Sequence, residues 1–378
     1  MAIYKLFPVK DSTIYSGYPS MNTGLDSIIE SSTDFKIGNP VQIDDSSTPQ
    51  TSRYLIQFSQ TEIESLFTNT ISGSYESYLR VFNASAQGLN NTTEIKINAV
   101  AQSWNMGTGR YLTDPESNDG CSWKFRLLSG SGTWITDGSV SGTTGSFNLD
   151  TNTDSEGGGS WYTAKEASQS FDYYSKLDIN ADVTDIVTNW SSSTFTNYGF
   201  ILRQSSSQEF IDNINNQTSL KYFSRDTNTI YPPQLEFRWN DVSFSTGSSS
   251  TTVIDTNRAL ITLSNNKIKY HPEEITKFRF FVTKKYPIRT FQTASSYTQN
   301  YYLPTSSLYA IKDDKTNEYV IDFDDSYTRI SSDEDSSYFN LYMNGLEPER
   351  YYTILVKTNI NGETKIFDKE LSFKVING

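Results

Sequence analysis

The side chains that most often carry out chemistry are scarce in this 378-residue chain, which has one histidine and one cysteine. His271 has no nucleophile motif near it, and a catalytic triad needs both a nucleophile and an orienting acid. We therefore expect His271 to be a surface loop residue before a proline. Cys121 is expected to be a small, buried apolar residue, because a single thiol cannot form an intrachain disulfide. One Cys and one His also exclude the usual zinc sites.

Carboxylates are plentiful, and paired carboxylates in a cleft could hydrolyse glycosides, but a sequence does not show their separation. The chain has neither a glycine-rich phosphate loop nor a nucleophile elbow. Two acidic stretches, 322–325 and 332–335, could bind calcium, since hard cations are coordinated by several carboxylates. They lack EF-hand spacing, and solvated acidic loops are the favoured interpretation. We predict no enzyme activity and no cofactor, with calcium as the ion to test for.

The net charge and the hydropathy of the chain limit the kinds of partner that it can bind. Lys plus Arg is 31 and Asp plus Glu is 44, and 31 − 44 gives a net charge of −13. Contacts with phosphates need a basic face, so this balance argues against direct nucleic-acid binding. The sequence has no apolar run of about 18 residues, so we predict no membrane span. The segment 1–8 does not look like a secretion signal, and we expect synthesis in a host cytoplasm and release by lysis.

The elements that must position any site are predicted to be strands. Aromatic residues make up 14% of the chain and hydrophobic residues 35%, and Ser, Thr and Asn are abundant, which suits twisted antiparallel sheets with many turns. Helices are predicted at 182–190, with Asp182 as the cap and Val183, Ile186 and Trp190 on the buried face, and at 61–67. Period-two alternation predicts strands at 77–82, 94–100, 198–203 and 234–239.

A small polar run at 243–252 is the best domain boundary. We therefore predict one sandwich over 1–240, a linker over 241–253 and a second sandwich over 254–378. The second domain has its own candidate strands, which are 258–263, 277–282, 319–323, 339–343, 351–357 and 369–375. Six or seven strands in this length fit one immunoglobulin-like sandwich.

Several segments of the first domain, in order, resemble the bacterial and phage module that is named for its DNRLRE motif. The matching pieces are 7–14 with Asp11, 22–24, 53–58, 78–82, 103–109 with Trp104, 120–123 with Trp123, 182–190 with Asp182 and Trp190, 197–203 with Gly199, 223–225 and 233–237. The resemblance implies a jelly-roll-like β-sandwich. The stretches 105–122 and 127–172 are long, rich in Gly and Ser, and acidic, which resembles the phage branch of that family more than its secreted-enzyme branch.

The second domain resembles a fibronectin type III or related immunoglobulin-like fold over 337–376. Leu346 and Pro348 precede Tyr352, and this pattern marks the corner where a strand crosses to the opposite sheet. Tyr352 is expected to bond its hydroxyl to upstream backbone. Asn361-Gly362 is expected to form a type I′ hairpin turn.

These features predict a non-enzymatic structural component of a bacteriophage particle (capsid decoration, neck, baseplate or tail) that contacts other virion proteins in multiple copies. The candidate contact residues are the tyrosine pairs Tyr173, Tyr174 and Tyr301, Tyr302. The alternative is a carbohydrate-binding module or adhesin that recognises a surface glycan. Its candidates are Trp134 and Trp161, which lie in Gly/Ser-rich segments, because loops on a rigid scaffold often carry binding.

Overall fold

The structure is a computed structural model that describes residues 2–34, 50–71, 73–89, 92–112, 119–128, 132–134, 140–143, 157–209, 217–239, 259–286, 301–360, 362–369 and 371–377. Strands are the dominant regular structure of these residues, which contain two short α-helices besides, and this confirms the all-β prediction. The chain divides into a first unit, Leu6–Thr70 with Glu76–Glu236, and a second unit, Met1–Lys5 with Ile71–Tyr75 and Phe237–Gly378. The predicted linker 241–253 lies outside the described residues.

The four strands that alternation predicted before residue 240 are all present, and they are β5, β7, β14 and β16 in the list that follows. In chain order the elements are β1 (Ala2–Leu6), β2 (Pro8–Tyr15), β3 (Ile28–Asp34), β4 (Gln50–Phe58), α1 (Gln60–Asn69), β5 (Tyr75–Val81), β6 (Asn83–Gln87), β7 (Thr93–Ala99), β8 (Phe125–Leu127), β9 (Gly132–Thr133), β10 (Val140–Thr143), β11 (Gly157–Tyr162), β12 (Ala167–Phe171), β13 (Ile179–Asp182), α2 (Thr184–Ser191), β14 (Phe200–Gln204), β15 (Ser219–Phe223) and β16 (Gln234–Trp239).

The main sheet of the first unit has eight strands. Seven of them follow the order β12-β7-β14-β4-β3-β15-β6, and β2 also pairs with β4. All of these pairings are antiparallel. Beneath the sheet lies a tryptophan cluster, in which four indoles pack with Ile14, Leu55, Val100, Cys121 and Ile201; the four are Trp104, Trp123, Trp134 and Trp161.

Part of this sheet is held by buried hydroxyls and not by apolar side chains. Ser31, Ser32 and Thr33 of β3 are at most 1% exposed. The Ser32 hydroxyl lies 2.9 Å from that of Ser219, and the Thr33 hydroxyl donates to Gln204 Oε1 at 3.1 Å. Buried polar groups must find such partners, because an unpaired one costs about 1–3 kcal/mol.

Both predicted helices are present. In α2, Val183, Ile186 and Trp190 are each 1% exposed, which confirms the predicted buried face. The helix begins at Thr184 and its N-cap residue is Val183, so the prediction of Asp182 as the cap is wrong by one residue, because Asp182 ends strand β13. The carboxylate of Asp182 accepts a hydrogen bond from the Thr184 N–H at 2.9 Å, so it still serves the start of the helix.

The second unit has the strand arrangement of an immunoglobulin-like sandwich. Its remaining elements are β17 (Ala259–Leu263), β18 (Lys269–Tyr270), β19 (Ile275–Lys284), β20 (Leu308–Asp313), β21 (Tyr319–Ile321), β22 (Ser331–Ser332), β23 (Ser337–Tyr342), a 3-10 helix (Met343–Gly345), β24 (Arg350–Ile360), β25 (Glu363–Phe367) and β26 (Ser372–Val375). One sheet has the order β17-β19-β23-β22 and the other β18-β26-β24-β20-β21, with β25 on β24. These correspond to the ABED and CFG sheets of the immunoglobulin fold.

Aromatic rings fill the space between these two sheets. The rings of Tyr309 in β20 and Phe339 in β23 stack at 3.9 Å with an angle of 13° between their planes. Phe278 of β19 and Phe373 of β26 have centroids 5.2 Å apart. The core therefore joins residues of both sheets, as the alternation in β19 requires.

The predicted corner and hairpin are both in place. Tyr352 is 1% exposed, and its hydroxyl donates to the Glu347 carbonyl at 3.0 Å, which confirms the tyrosine corner. Strands β24 and β25 form a hairpin in which Ile360 pairs with Glu363, and Gly362 has a φ of 84°. Asn361 lies outside the described residues.

Candidate contact surface

Two of the six predicted contact residues are inside the fold. Trp134 is 7% exposed and Trp161 is 6% exposed, and both belong to the tryptophan cluster. Trp161 lies in strand β11 and not in a loop. At these two positions the sequence-based assignment is corrected, since neither indole offers a face on which a sugar could stack.

Trp161 is covered by two guanidinium groups. The Arg203 guanidinium carbon lies 4.8 Å from the centroid of its ring, and that of Arg53 lies 5.2 Å away. Arg53 also lies 5.0 Å from the ring centroid of Trp123. The buried Arg53 is neutralised by Glu209, to which it donates two hydrogen bonds of 2.7 and 2.6 Å. Cation–π stacking and this ion pair together explain why two tryptophans are buried beside a charge.

The predicted pair in the second unit is tied to its own domain. Tyr301 and Tyr302 are both half-buried. The Tyr301 N–H donates to the Val282 carbonyl at 2.8 Å, and the Tyr302 hydroxyl donates to the Glu334 carbonyl at 2.6 Å. These contacts give the pair a structural role within the unit and leave part of each ring accessible.

The predicted pair in the first unit projects from the surface. Tyr173 is 75% exposed and Tyr174 is 92% exposed. Their ring centroids are 5.3 Å apart and their planes meet at 85°. The two residues belong to the connection between β12 and β13, residues 172–178, which we call the tyrosine turn. Tyrosine is one of the residue types that are enriched among binding hot spots.

Hydrogen bonds of Asp172 with Tyr174 and Ser175 hold the start of the tyrosine turn. The Asp172 carboxylate accepts hydrogen bonds from the Tyr174 N–H at 2.9 Å and from the Ser175 hydroxyl at 2.7 Å. The Asp172 N–H in turn donates to the Ser175 hydroxyl oxygen at 3.1 Å. The Ser175 hydroxyl holds the pKa of Asp172 below its usual value. The two phenols therefore stand on a preformed turn.

The far end of the tyrosine turn is fixed at Asp178. Its carboxylate accepts a hydrogen bond from the Asn83 N–H at the start of β6, at 2.7 Å. Its carbonyl accepts one from the Gln169 side chain of β12 at 3.0 Å, and Gln169 also accepts from the Asn180 N–H at 2.8 Å. Strands β12 and β6 are the two ends of the eight-stranded sheet. Asp178 thus joins both edges of that sheet and anchors the turn to them.

Three of the segments that carry the DNRLRE resemblance, 22–24, 103–109 and 120–123, meet at Asn22, which is 2% exposed. Its amide group donates to the carbonyls of Met106 and Cys121, at 2.7 and 2.8 Å. Its carbonyl oxygen accepts from the N–H groups of Gly24 and Gly109, at 3.2 and 2.8 Å. All four hydrogen-bonding positions of the amide are used. The sequence did not indicate that Asn22 joins these segments, although the glycine-rich segments that pack on it are part of the resemblance.

Two glycines show why those positions admit no side chain. A Cβ at Gly120 would lie 2.2 Å from Asn22 Nδ2, and Gly120 has a φ of 86°. A Cβ at Gly199 would lie 2.2 Å from the Ile56 carbonyl oxygen, and its φ is 94°. The backbone of Ile56 therefore passes so close to Gly199 that no side chain fits there.

Asp11 links the first and last pieces of the resemblance. Its carboxylate is 1% exposed and accepts a hydrogen bond from the Arg225 N–H at 2.7 Å. Burial raises the pKa of Asp11 to about 7, and the nearby Asp226 and Asp26 act in the same direction, while the hydrogen bond from Arg225 opposes it. Asp11 is thus a structural carboxylate that holds the strand β2 against the segment that follows β15.

The remaining motif residues are core residues. Trp104, Trp123 and Trp190 are each 1% exposed. Cys121 is fully buried, and burial raises the pKa of its thiol to about 12, which makes it unreactive. His271 is exposed, as expected.

The predicted acidic stretches are occupied by protein groups. Asp333 accepts two hydrogen bonds from the Arg279 guanidinium, at 2.9 and 2.8 Å, and these hold its pKa well below the usual range. The Asp324 carboxylate accepts from the N–H groups of Ser326 and Tyr327. In the described part of the chain no group of three or more His, Cys, Asp or Glu side chains is placed to hold a metal ion. The described helices are too short or too polar to cross a membrane.

Comparison with known proteins gives no family. Neither protein-family models nor curated proteins match the chain. Among solved structures, the chain is similar to a DUF4785 family protein from Legionella pneumophila at 9% identity, with 98% of this chain and 66% of that chain covered. The TM-score is 0.16, at which the likeness carries no argument about fold or function.

Proposed function

We propose that the chain is a non-enzymatic structural component of a bacteriophage particle and that it acts through protein–protein contacts made by its β-sandwich domains. The observation that carries the contact role is the tyrosine turn, in which two phenols project from a rigid connection. The phage setting rests on the resemblance of residues 1–240 to the phage branch of the DNRLRE module. The proposal covers capsid decoration, neck, baseplate and tail positions.

The energetics of association favour a turn of this kind. Binding orders flexible side chains and loops at about 0.5–1.5 kcal/mol for each immobilised side chain. Asp172, Ser175 and Asp178 already order the backbone that bears Tyr173 and Tyr174. The part of the cost that comes from ordering the backbone is therefore already met in the free chain, which raises the affinity that two buried phenols can supply. Tyrosine is enriched among the residues that dominate protein interfaces.

The glycan alternative now depends on the same turn. The two indoles that it first relied on are buried, whereas Tyr173 and Tyr174 have accessible rings. Binding of the chain to a glycan array that is lost in a Tyr173→Ser, Tyr174→Ser variant would favour this alternative. Binding to particles without binding to any glycan would favour the structural role.

The test is the composition of purified particles. Mass spectrometry should find the chain in a fixed number of copies per particle. The double variant Tyr173→Ser, Tyr174→Ser should fold normally but be depleted from particles by at least ten-fold, which corresponds to about 1.4 kcal/mol of contact free energy. Tyr286→Ser is the matched control, since Tyr286 is 72% exposed in the second unit. A chain that is absent from particles would overturn the proposal.

A further inference from the structure

The sheet of the second unit that contains β24 carries lysines on its outer face. In β24, Tyr352, Ile354 and Val356 belong to the core, so the residues between them lie on the opposite face of the sheet. Strand pairing places one lysine from each of β18, β20, β24 and β26 on that same outer face. These four residues, which we call the lysine face, are Lys269, Lys312, Lys357 and Lys374.

Exposed apolar side chains lie beside these lysines. Three of the lysines have such a residue as their cross-strand partner, and the pairs are Tyr351 with Lys374, Tyr319 with Lys312, and Ile366 with Lys357. In that order, the three partners are 55%, 44% and 48% exposed. The six residues of β24 from Tyr351 to Lys357 extend the face over about 20 Å. The face therefore offers a partner both apolar area and positive charge.

Carboxylates neutralise only part of the charge of the lysine face. Lys374 forms a salt bridge with Glu349, and the Thr353 hydroxyl donates to the Asp314 carboxylate at 2.6 Å. The other three lysines form no salt bridge with a carboxylate of the described residues. Four lysines against two carboxylates leave an excess of two positive charges, 4 − 2, on this face.

The net charge of the chain belongs entirely to the first unit. That unit has 13 Lys and Arg and 26 Asp and Glu, and 13 − 26 gives −13. The second unit has 18 of each kind, and 18 − 18 gives zero. Segments 54–79 and 177–202, which contain the two helices, have six acidic residues and no Lys or Arg. The helices are therefore where the excess of negative charge is least diluted by cations.

The acidic residues of the helices are at the surface. Helices α1 and α2 contact each other, and four carboxylates on or next to them are exposed. These four residues, which we call the acidic helix surface, are Glu62, Glu64, Asp182 and Asp185. Lys165 forms a salt bridge of 2.8 Å with Asp185. Four carboxylates against this one lysine leave an excess of three negative charges, 1 − 4.

We propose that the lysine face of one copy of the chain binds the acidic helix surface of a second copy, so that the chains associate head to tail. The two surfaces carry opposite charge, which steers association and fixes its orientation. They are different patches of one chain, so each copy can bind one neighbour with its lysine face and another with its helices. A face of this size supports a weak contact, which an assembly of several copies would multiply.

This inference deepens the proposed function, because it names the chain itself as one of its partners. It is tested on the purified chain and not on particles. A failure here therefore leaves the incorporation of the chain into particles, and the role of the tyrosine turn in it, as separate questions with their own experiment.

Sedimentation velocity of the full chain measures the association. In 0.1 M NaCl we expect the sedimentation coefficient to rise with protein concentration. In 1 M NaCl we expect the association constant to be at least ten-fold lower, because the Debye length falls from about 10 Å to about 3 Å. A chain that remains monomeric at about 1 mM in 0.1 M NaCl would overturn the proposal.

Charge reversal locates the two surfaces. The variant Lys312→Glu, Lys357→Glu reverses the lysine face, and the variant Glu62→Lys, Glu64→Lys reverses the acidic helix surface. Each variant should be monomeric alone, and an equimolar mixture should associate, because the reversed face of one then meets the reversed helices of the other. Association of either variant alone at the level of the parent chain, or no association in the mixture of two folded variants, would overturn the proposal.

Two controls separate this contact from other causes. The variant Lys284→Glu, Lys285→Glu changes the net charge equally at two exposed residues outside the lysine face, and it should associate like the parent chain. The variant Tyr173→Ser, Tyr174→Ser should also associate like the parent chain, because the tyrosine turn belongs to neither surface. Loss of association in either control, with the variant folded by thermal melting, would contradict the assignment of the contact to these two surfaces.

Discussion

Replacing Asn22 by alanine should destabilise the first unit by about 4 kcal/mol. The amide of Asn22 makes four hydrogen bonds to backbone groups, and the side chain is 2% exposed. A buried hydrogen bond contributes about 1 kcal/mol net, and its loss leaves a buried partner unpaired. For a unit of this size, about 4 kcal/mol lowers the melting temperature by roughly 10 °C.

Tryptophan fluorescence is the natural assay, because five of the six tryptophans belong to the first unit. Asn22→Asp keeps the size of the side chain and its acceptors but loses both donors to Met106 and Cys121, so it should also be strongly destabilised. Asn189→Ala is the matched control, since Asn189 is half-buried and its amide donates a single hydrogen bond, to the Asp185 carbonyl. Equal melting temperatures of Asn22→Ala and the parent chain would show that the four hydrogen bonds of Asn22 do not stabilise the first unit.

Three further changes have defined outcomes. Asp11→Asn should flatten the pH dependence of the free energy of unfolding. The raised pKa of the buried Asp11 carboxyl adds stability that is complete below pH 4 and is lost as the pH rises through about 7. If the carboxyl were solvated, chemical denaturation across this range would show no difference between the variant and the parent chain. Glu209→Gln should cost about 3–5 kcal/mol, since Arg53 is left charged and buried; an unchanged denaturation midpoint would contradict this. Tyr352→Phe should cost about 1 kcal/mol by loss of the bond to Glu347, and a calorimetric transition unchanged in the second unit would oppose that role.

The elements that could be predicted from the sequence are those with one buried face and one solvent-exposed face. Strand β19 alternates in burial along its whole length, and α2 buries one stripe, so the periodicity is visible. Strand β20 is absent from the predicted set. Its first four residues, Leu308 to Ile311, are all buried, whichever face of the strand they lie on, so there is no alternation to detect.

Strand β3 shows a second reason why an element escapes prediction. Its Ser31, Ser32 and Thr33 look like a polar loop in the sequence, yet the fold buries all three and hydrogen-bonds the hydroxyls of Ser32 and Thr33 across strands. That pairing depends on Ser219 and Gln204, which are far away along the chain. Local propensity cannot contain this information.

The candidate surface shows the same limit. An indole in a glycine-rich segment, such as Trp161, looks exposed until the partners that cover it are known. Arg53 and Arg203 come from distant strands, and their stacking on the ring decides its burial. Tyr173 and Tyr174, by contrast, lie in a turn that Asp172 stabilises locally, and both side chains are exposed.

The contact role of the tyrosine turn is tested most directly by competition for incorporation into particles. Parent chain and the Tyr173→Ser, Tyr174→Ser variant, distinguished by isotope label, are supplied in equal amounts during assembly, and purified particles are analysed by mass spectrometry. The account predicts that the parent chain is a stoichiometric component and outnumbers the variant by at least ten to one. Equal incorporation of the two chains, or particles that contain neither, would contradict it.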